Sequence, residues 1–177
     1  MTRKLRNDEL ERLSTEQFKQ AEKADLVVVL DNVRSLLNVG SIFRTCDAFL
    51  VKSLYLCGLT GTPPQKEIEK TALGATETVD WKHFESTEQA IKNLQSEGYK
   101  IYAVEQAENS IALHQFTSSS EKIALVFGNE VYGVEQEIVD KCDGVIEIPQ
   151  LGSKHSLNVA VSAGIVIWEV VKKTTIK

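Results

Sequence analysis

Cysteine is scarce in this 177-residue chain, and so are the short motifs that most often disclose an enzyme. Its three cysteines, Cys46, Cys57 and Cys142, are odd in number and widely spaced. That pattern fits neither a disulfide framework nor a zinc site, which leaves buried free thiols in a reducing compartment. No apolar run reaches the roughly 20 residues of a membrane span, because Ser162, Gly164 and Glu169 interrupt the most apolar segment. The opening residues, MTRKLRNDELERL, hold no apolar signal segment, so a cytoplasmic protein is expected. Excess positive charge is missing too: 20 Lys and Arg stand against 25 Asp and Glu, for a net charge of −5. Any nucleic-acid contact must therefore come from local patches. The candidates are Arg3, Lys4 and Arg6 at the start, Lys172, Lys173 and Lys177 at the end, and Arg34, Arg44 and Lys154 in loops. No strand leads into G-x-G-x-x-G, and neither G-x-x-x-x-G-K-[ST] nor a G-x-S-x-G elbow occurs. His83 and His114 stand alone, and without metal-ligand spacing no metal is expected.

What is present is an alternation of short apolar strands and helices. Residues 26–30 and 122–127 are continuous β-branched or apolar runs, as in parallel strands covered on both faces. Further strands are expected over 53–57, 78–84, 99–104 and 144–148, six in all. Between them the pattern predicts helices over 39–49, with Ile42, Phe43, Cys46 and Phe49 inward, then one carrying Ile68 and Leu73. Another opens at a capping-box pattern, Ser86 to Gln89, and ends at Gly98, and a last short one covers 135–142. Residues 1–23 read as a helical N-terminal extension with its own capping box, Ser14 to Gln17, and apolar Leu10, Leu13 and Phe18. Residues 24–177 then form one α/β domain with a mostly parallel sheet flanked by helices. No repeat, linker or low-complexity tract points to a second domain. Ligands of such sheets bind beyond the carboxyl ends of the strands. Three loops there, after Leu30, Phe127 and Ile148, are rich in glycine and polar groups.

The third of these loops opens the segment around which the chain is organised. Pro149 stops the strand ladder, residues 150–155 form a polar loop with Gly152 at its centre, and a helix starts near Ser156. From 159 to 171 only Ser162 and Glu169 are clearly polar, so this helix must be buried on most of its circumference. One face packs on its own sheet; the other is left for a second subunit. Ser156 and Asn158 at its N-terminus suit a polar or anionic ligand.

Three segments carry the chemistry. Residues 38–44, NVGSIFR, place Asn38, Gly40 and Arg44 at the entry to the first core helix. Residues 125–133, LVFGNEVYG, end a buried strand in Gly128, Asn129 and Glu130. The third is Ile148-Pro149 followed by Gly152, Ser156, Leu157 and Asn158. In this order and at these intervals the sequence resembles the SpoU (TrmH-like) RNA ribose 2′-O-methyltransferases of the SPOUT superfamily, over residues 26–172. The resemblance implies a Rossmann-like parallel sheet whose C-terminal segment is threaded into a deep trefoil knot, an exception to the usual connection rules. It implies S-adenosylmethionine held against Gly128, Asn129, Glu130, Ile148 and Leu157. It also implies a homodimer through the last helix, with residues of the first motif completing the partner's site.

On the same resemblance the catalytic residues are Arg44, Asn38, Glu130, Ser156 and Asn158. A free guanidinium is a poor base, so the role expected of Arg44 is to place positive charge beside the developing alkoxide. Asn38 and Glu130 are expected to orient it, while Ser156 and Asn158 hold ribose or phosphate oxygens. Ser162 and Gln150 stand where many members carry alanine and methionine. The large RNA-holding domain of some members is not seen before residue 24, which favours transfer RNA over ribosomal RNA as substrate. Two other readings share the fold: a base-methylating SPOUT enzyme, and a non-catalytic RNA-binding module.

Overall fold

The computed structural model describes residues 2–117 and 122–174; Lys177 of the terminal basic cluster lies outside them. Seven strands form one sheet: β1 (Ala24–Asp31), β2 (Val51–Cys57), β3 (Trp81–Phe84), β4 (Lys100–Val104), β5 (Ile111–Ala112), β6 (Ile123–Phe127) and β7 (Gly144–Glu147). Their spatial order is β3-β2-β1-β6-β4-β7-β5, and every pairing is parallel. The central neighbours β1 and β6 are buried along almost their whole length, which is why they read as unbroken apolar runs rather than alternating ones.

Helices cover both faces. Val28 and Leu30 of β1 point into one apolar cluster with α2 (Leu36–Ala48), α3 (Lys66–Ala72) and α7 (Val159–Thr174). Val27 and Val29 point into the other, with α5 (Thr87–Ser96) and α6 (Gln136–Val139). Each fully buried Ile, Leu or Phe in these layers contributes about 1.5–3 kcal/mol of transfer free energy. At Gly40 of α2 a Cβ would lie 2.2 Å from the Ile68 carbonyl oxygen, so glycine is what lets α2 and α3 cross so closely.

Several boundaries differ from those read in the sequence. Helix α2 starts three residues early, capped by Ser35, whose hydroxyl accepts from the Asn38 N–H. Helix α7 begins at Val159, not near Ser156; its cap is Asn158, whose side-chain oxygen accepts from the N–H groups of Ala160 and Val161. Ser156 therefore sits in the loop. Thr78, expected at the head of a strand, instead ends the short helix α4 (Ala75–Thr78), and that strand starts only at Trp81. Leu73 is not a core residue of α3: it ends the helix in the left-handed conformation and is 66% exposed. The predicted helix 135–142 is regular only over α6. Strand β5 and the 3₁₀ turn after it, Leu113–Gln115, were too short to leave a periodic pattern.

Before β1, α1 (Thr15–Gln20) is opened by the complete Ser14–Gln17 capping box, and it buries Phe18 in the first cluster while Leu13 stays exposed. The Ser86 box is half formed: its hydroxyl accepts from the Gln89 N–H at 3.3 Å. No helix among the described residues is long and apolar enough to cross a membrane.

Candidate active site

Beyond the carboxyl ends of β4, β6 and β7 lies a cleft of about 500 Å³. Glu105 and Gln106 enter it after β4, residues 128–133 after β6, and Ile148 and Gln150 after β7. Residues 155–159, leading into α7, close its far side. All five residues expected to contact a cofactor, Gly128, Asn129, Glu130, Ile148 and Leu157, line this one cleft, as do Ser156 and Asn158. Parallel topology is the reason: it delivers the carboxyl end of every strand to the same edge.

The loop after β6 is folded back on itself. Asn129 and Gly133 exchange two backbone hydrogen bonds of 2.9 Å, and the Asn129 side chain accepts from the Val131 N–H at 2.8 Å. That closure leaves no room at Gly128, where a Cβ would lie 2.0 Å from the Gly133 carbonyl carbon. Glycine is thus required there by close backbone approach. Gly152 meets no such constraint, since its Cβ position is open.

One chain of hydrogen bonds joins all three motifs. The Glu130 carboxylate accepts from the Arg34 and Ser35 N–H groups and from the Asn38 amide, each at 3.0 Å. The Asn38 side-chain oxygen accepts from the Asn158 amide at 3.1 Å. Asn158 in turn caps α7. Burial pushes the Glu130 carboxyl upward, but the N–H groups of Arg34 and Ser35 and the Asn38 amide outweigh it, and its pKa falls below the ordinary glutamate value.

The sign of that shift makes a prediction. A carboxylate with a depressed folded pKa contributes stability above the ordinary value, about 4.3, and loses it as the pH falls through the lower folded value. The stability this carboxylate contributes should therefore stay level from neutral pH down to about 5 and fall only below that. Glu130→Gln should be less stable at neutral pH and lack this acid step. Thermal unfolding of both proteins from pH 7 downward checks it.

One expectation needs correction within the subunit: Glu130 does not face Arg44, and its lone pairs are taken by main-chain donors and by Asn38. Arg44, for which the resemblance implies a place in the partner's site, does not line the cleft of its own subunit. It lies six residues past Asn38 on α2, roughly 120° round the helix and about 9 Å along it. There, exposed and without a hydrogen bond or ion pair among the described residues, it borders a separate groove of about 430 Å³ with Lys70 and Phe49. Of the basic patches, Arg3 is held by Glu9, and Lys172 and Lys173 by Glu169, whereas Arg34, Arg44 and Lys154 form no ion pair among the described residues. His155 is exposed, and its carbonyl accepts from Gln106 at 2.6 Å.

Sequence reading missed Glu105, whose carboxylate accepts from the Val134 N–H at 3.1 Å, and Gln106 beside it. It also missed Asp31, 1% exposed at the end of β1. The signal available was the same for all three: a polar residue ending an apolar strand at the ligand edge.

A parallel α/β sheet with a polar cleft built from three strand-end loops and the cap of a buried final helix defines a small-molecule-binding enzyme fold. A model of the SpoU rRNA methylase family matches residues 25–168, and the chain belongs to that family. It is 31% identical over 161 residues to the tRNA (guanosine(18)-2′-O)-methyltransferase of Thermus thermophilus, covering 91% of this chain and 81% of that one. Among solved structures, the A. aeolicus TrmH/SpoU tRNA modifying enzyme superposes with a TM-score of 0.79 at 30% identity, covering 90% of this chain and 81% of that one. The AdoMet-bound rRNA methyltransferase of Sinorhizobium meliloti superposes with a TM-score of 0.81 at 26% identity, covering 90% of this chain but 61% of that one.

Proposed function

We propose that the protein methylates a ribose 2′-hydroxyl in structured RNA, using S-adenosylmethionine bound in the 500 Å³ cleft. The observation that carries this reading is the junction of Asn38, Glu130 and Asn158, which ties the three family motifs into one site. The cleft lies within the roughly 300–1,000 Å³ usual for small-molecule sites. Its chemistry fits the cofactor: Val104, Phe127, Ile148 and Leu157 supply apolar surface for a flat base. Glu105, Gln106, Asn129 and the backbone of 128–133 supply partners for hydroxyls and a cationic, zwitterionic tail. When bound, S-adenosylmethionine supplies an activated methyl group, so the chain's own work is to position the hydroxyl and ease its loss of a proton. Ser156, exposed on the cleft wall, is placed to hold ribose or phosphate oxygens, and Arg34 and Lys154 are free to meet RNA phosphates.

Transfer RNA is the favoured substrate, because the relatives matched over the larger share of their length are tRNA enzymes. On this reading residues 1–23 are an accessory extension, 24–177 the catalytic domain, and the protein works in the cytoplasm. The knot implied by family is supported by β7 lying between β4 and β5, and by α7 crossing back to α2 and β1. Lys173 of α7 is held by the carbonyls of Leu113 and Phe116 in the segment that follows β5. Nucleoside mass spectrometry of RNA treated with protein and cofactor tests the function. A 2′-O-methylnucleoside is expected; a base-methylated product would establish the base-modifying reading, and no product the RNA-binding one.

Assembly belongs to the same proposal. Helix α7 buries Ala163, Val166, Ile167, Val170 and Val171, yet Val161, Ile165 and Trp168 form an exposed stripe at spacings of four and three. Trp168 lies 5.4 Å from the Phe49 ring, which carries the stripe onto α2 beside Arg44. A second copy seated there forms a two-fold dimer and brings Arg44 to the partner's cleft. Wild-type protein should sediment as a dimer at micromolar concentration. The pair Ile165→Glu and Trp168→Glu should give a folded monomer with unchanged circular dichroism, because neither side chain is buried in the subunit. A monomeric wild type sinks the dimer.

A further inference from the structure

Asp31 is one of the most deeply buried carboxylates in the described chain and does not line the cleft, yet it touches the loop that does. Its Oδ1 accepts from the Thr87 hydroxyl at 2.6 Å and from the Asn32 amide at 3.0 Å. Its Oδ2 accepts from the Glu135 N–H at 3.3 Å. Asn32, next in the chain, adopts a left-handed backbone, φ 54°, which turns its carbonyl toward the loop after β6. That carbonyl accepts from the Asn129 amide at 2.9 Å, and the Asn32 side-chain oxygen accepts from the Leu59 N–H at 3.0 Å. The loop over 129–135 is therefore fastened at both ends to one dipeptide: Asn129 to Asn32 and Glu135 to Asp31.

We infer that Asp31 is a positioning residue for the cofactor, acting through the Asn129–Glu135 loop, whose ends the Asp31-Asn32 pair holds in register. The inference rests on the reading of the cleft as the S-adenosylmethionine site. Chemistry explains why a carboxylate is needed. Three donors converge on Asp31, and a carboxylate side chain offers acceptors on both oxygens where an amide offers only one. An asparagine there keeps Thr87 and Asn32 with its one oxygen and turns its NH₂ toward the Glu135 N–H, so it is the hydrogen bond to the loop that fails. The Thr87 side of the network is separable, since it fastens the start of α5 and lines no part of the cleft.

Three single variants test this, each read by calorimetric binding of S-adenosylmethionine and by thermal unfolding. Asp31→Asn should weaken binding by roughly tenfold, the scale of one missing hydrogen bond to a charged group. Glu135→Pro removes the same hydrogen bond from the other side without altering the core, since the backbone there already has φ −60°. It should weaken binding to a similar degree while unfolding at nearly the wild-type temperature, and it stands alone if Asp31→Asn does not fold. Thr87→Val should lower the unfolding temperature and leave affinity within about twofold, because it breaks only the α5 side. Wild-type affinity in both Asp31→Asn and Glu135→Pro overturns the inference. So does a loss in Thr87→Val equal to that in Asp31→Asn, which would mean that Asp31 acts through general stability. A wild type that does not bind S-adenosylmethionine overturns the cofactor reading itself, and the inference with it.

Discussion

Replacing Arg44 with alanine is expected to lower the single-turnover rate of methyl transfer by about 10²–10³, roughly 3–4 kcal/mol, the cost of removing one preorganised donor from a developing oxyanion. In its own subunit Arg44 is exposed, unpaired among the described residues and turned away from the cleft, so no local structural task accounts for it. Its guanidinium fits a role across the proposed dimer, placing positive charge beside the partner's 2′-oxygen. Cofactor affinity should then be nearly unchanged, because the charge is aimed at the RNA hydroxyl while the cleft itself is lined by the loops after β4, β6 and β7 and the segment before α7. Arg44→Lys should rescue poorly, since a point charge does not reproduce the planar fork. RNA affinity should fall modestly, with the salt slope reduced by about one unit at most.

Mixing supplies the sharper measurement. Arg44→Ala subunits carry intact clefts, and Glu130→Ala subunits carry intact arginines. If the residues act across a two-fold interface, a one-to-one mixture that exchanges freely regains about a quarter of wild-type activity, from half the dimers with one good site each. If Arg44 serves its own subunit, the mixture stays as inactive as its parts. Near-normal single-turnover rates in Arg44→Ala alone would remove the residue from the chemistry altogether.

How much of this could be read from the sequence depended on the kind of constraint. Strands β1 and β6 were plain because a parallel strand buried on both faces must be apolar throughout. Two of the three expected strand-end loops, those after Phe127 and Ile148, located the cleft, since parallel topology leaves them only one edge; the loop after Leu30 meets it only through Glu130, and the loop after β4 lines it instead. Main-chain donors were what remained hidden. Glu130 was expected to seek a guanidinium, but the turn before α2 presents the Arg34 and Ser35 N–H groups to it. Backbone groups look alike in any sequence, so nothing in the residue types announces such a partner. Asp31 was hidden for the same reason: one of its donors is the main chain of Glu135. The phase of α2 was available, in contrast. Counting about 100° per residue from Asn38 already separates it from Arg44, whichever residue begins the helix.

The Glu130→Ala variant probes the junction itself. Removal of the carboxylate leaves two N–H groups and the Asn38 amide without their acceptor. The cofactor's kcat/KM should fall by about tenfold to a hundredfold, roughly 1.5–3 kcal/mol, the range for hydrogen bonds to charged groups. Exposure of the carboxylate to screening water favours the lower half of that range. Asn158→Ala removes the cap of α7, which should lower stability by about 1 kcal/mol, and it also releases Asn38 from the other side. Both variants act on Asn38, so the double variant should lose less kcat/KM than the two single losses combined, by more than about 0.5 kcal/mol. A cycle built from these four proteins measures that coupling directly. Additive losses would mean that the three motifs meet in space without working together, and Asn38 would then be a surface amide lodged between two independent loops.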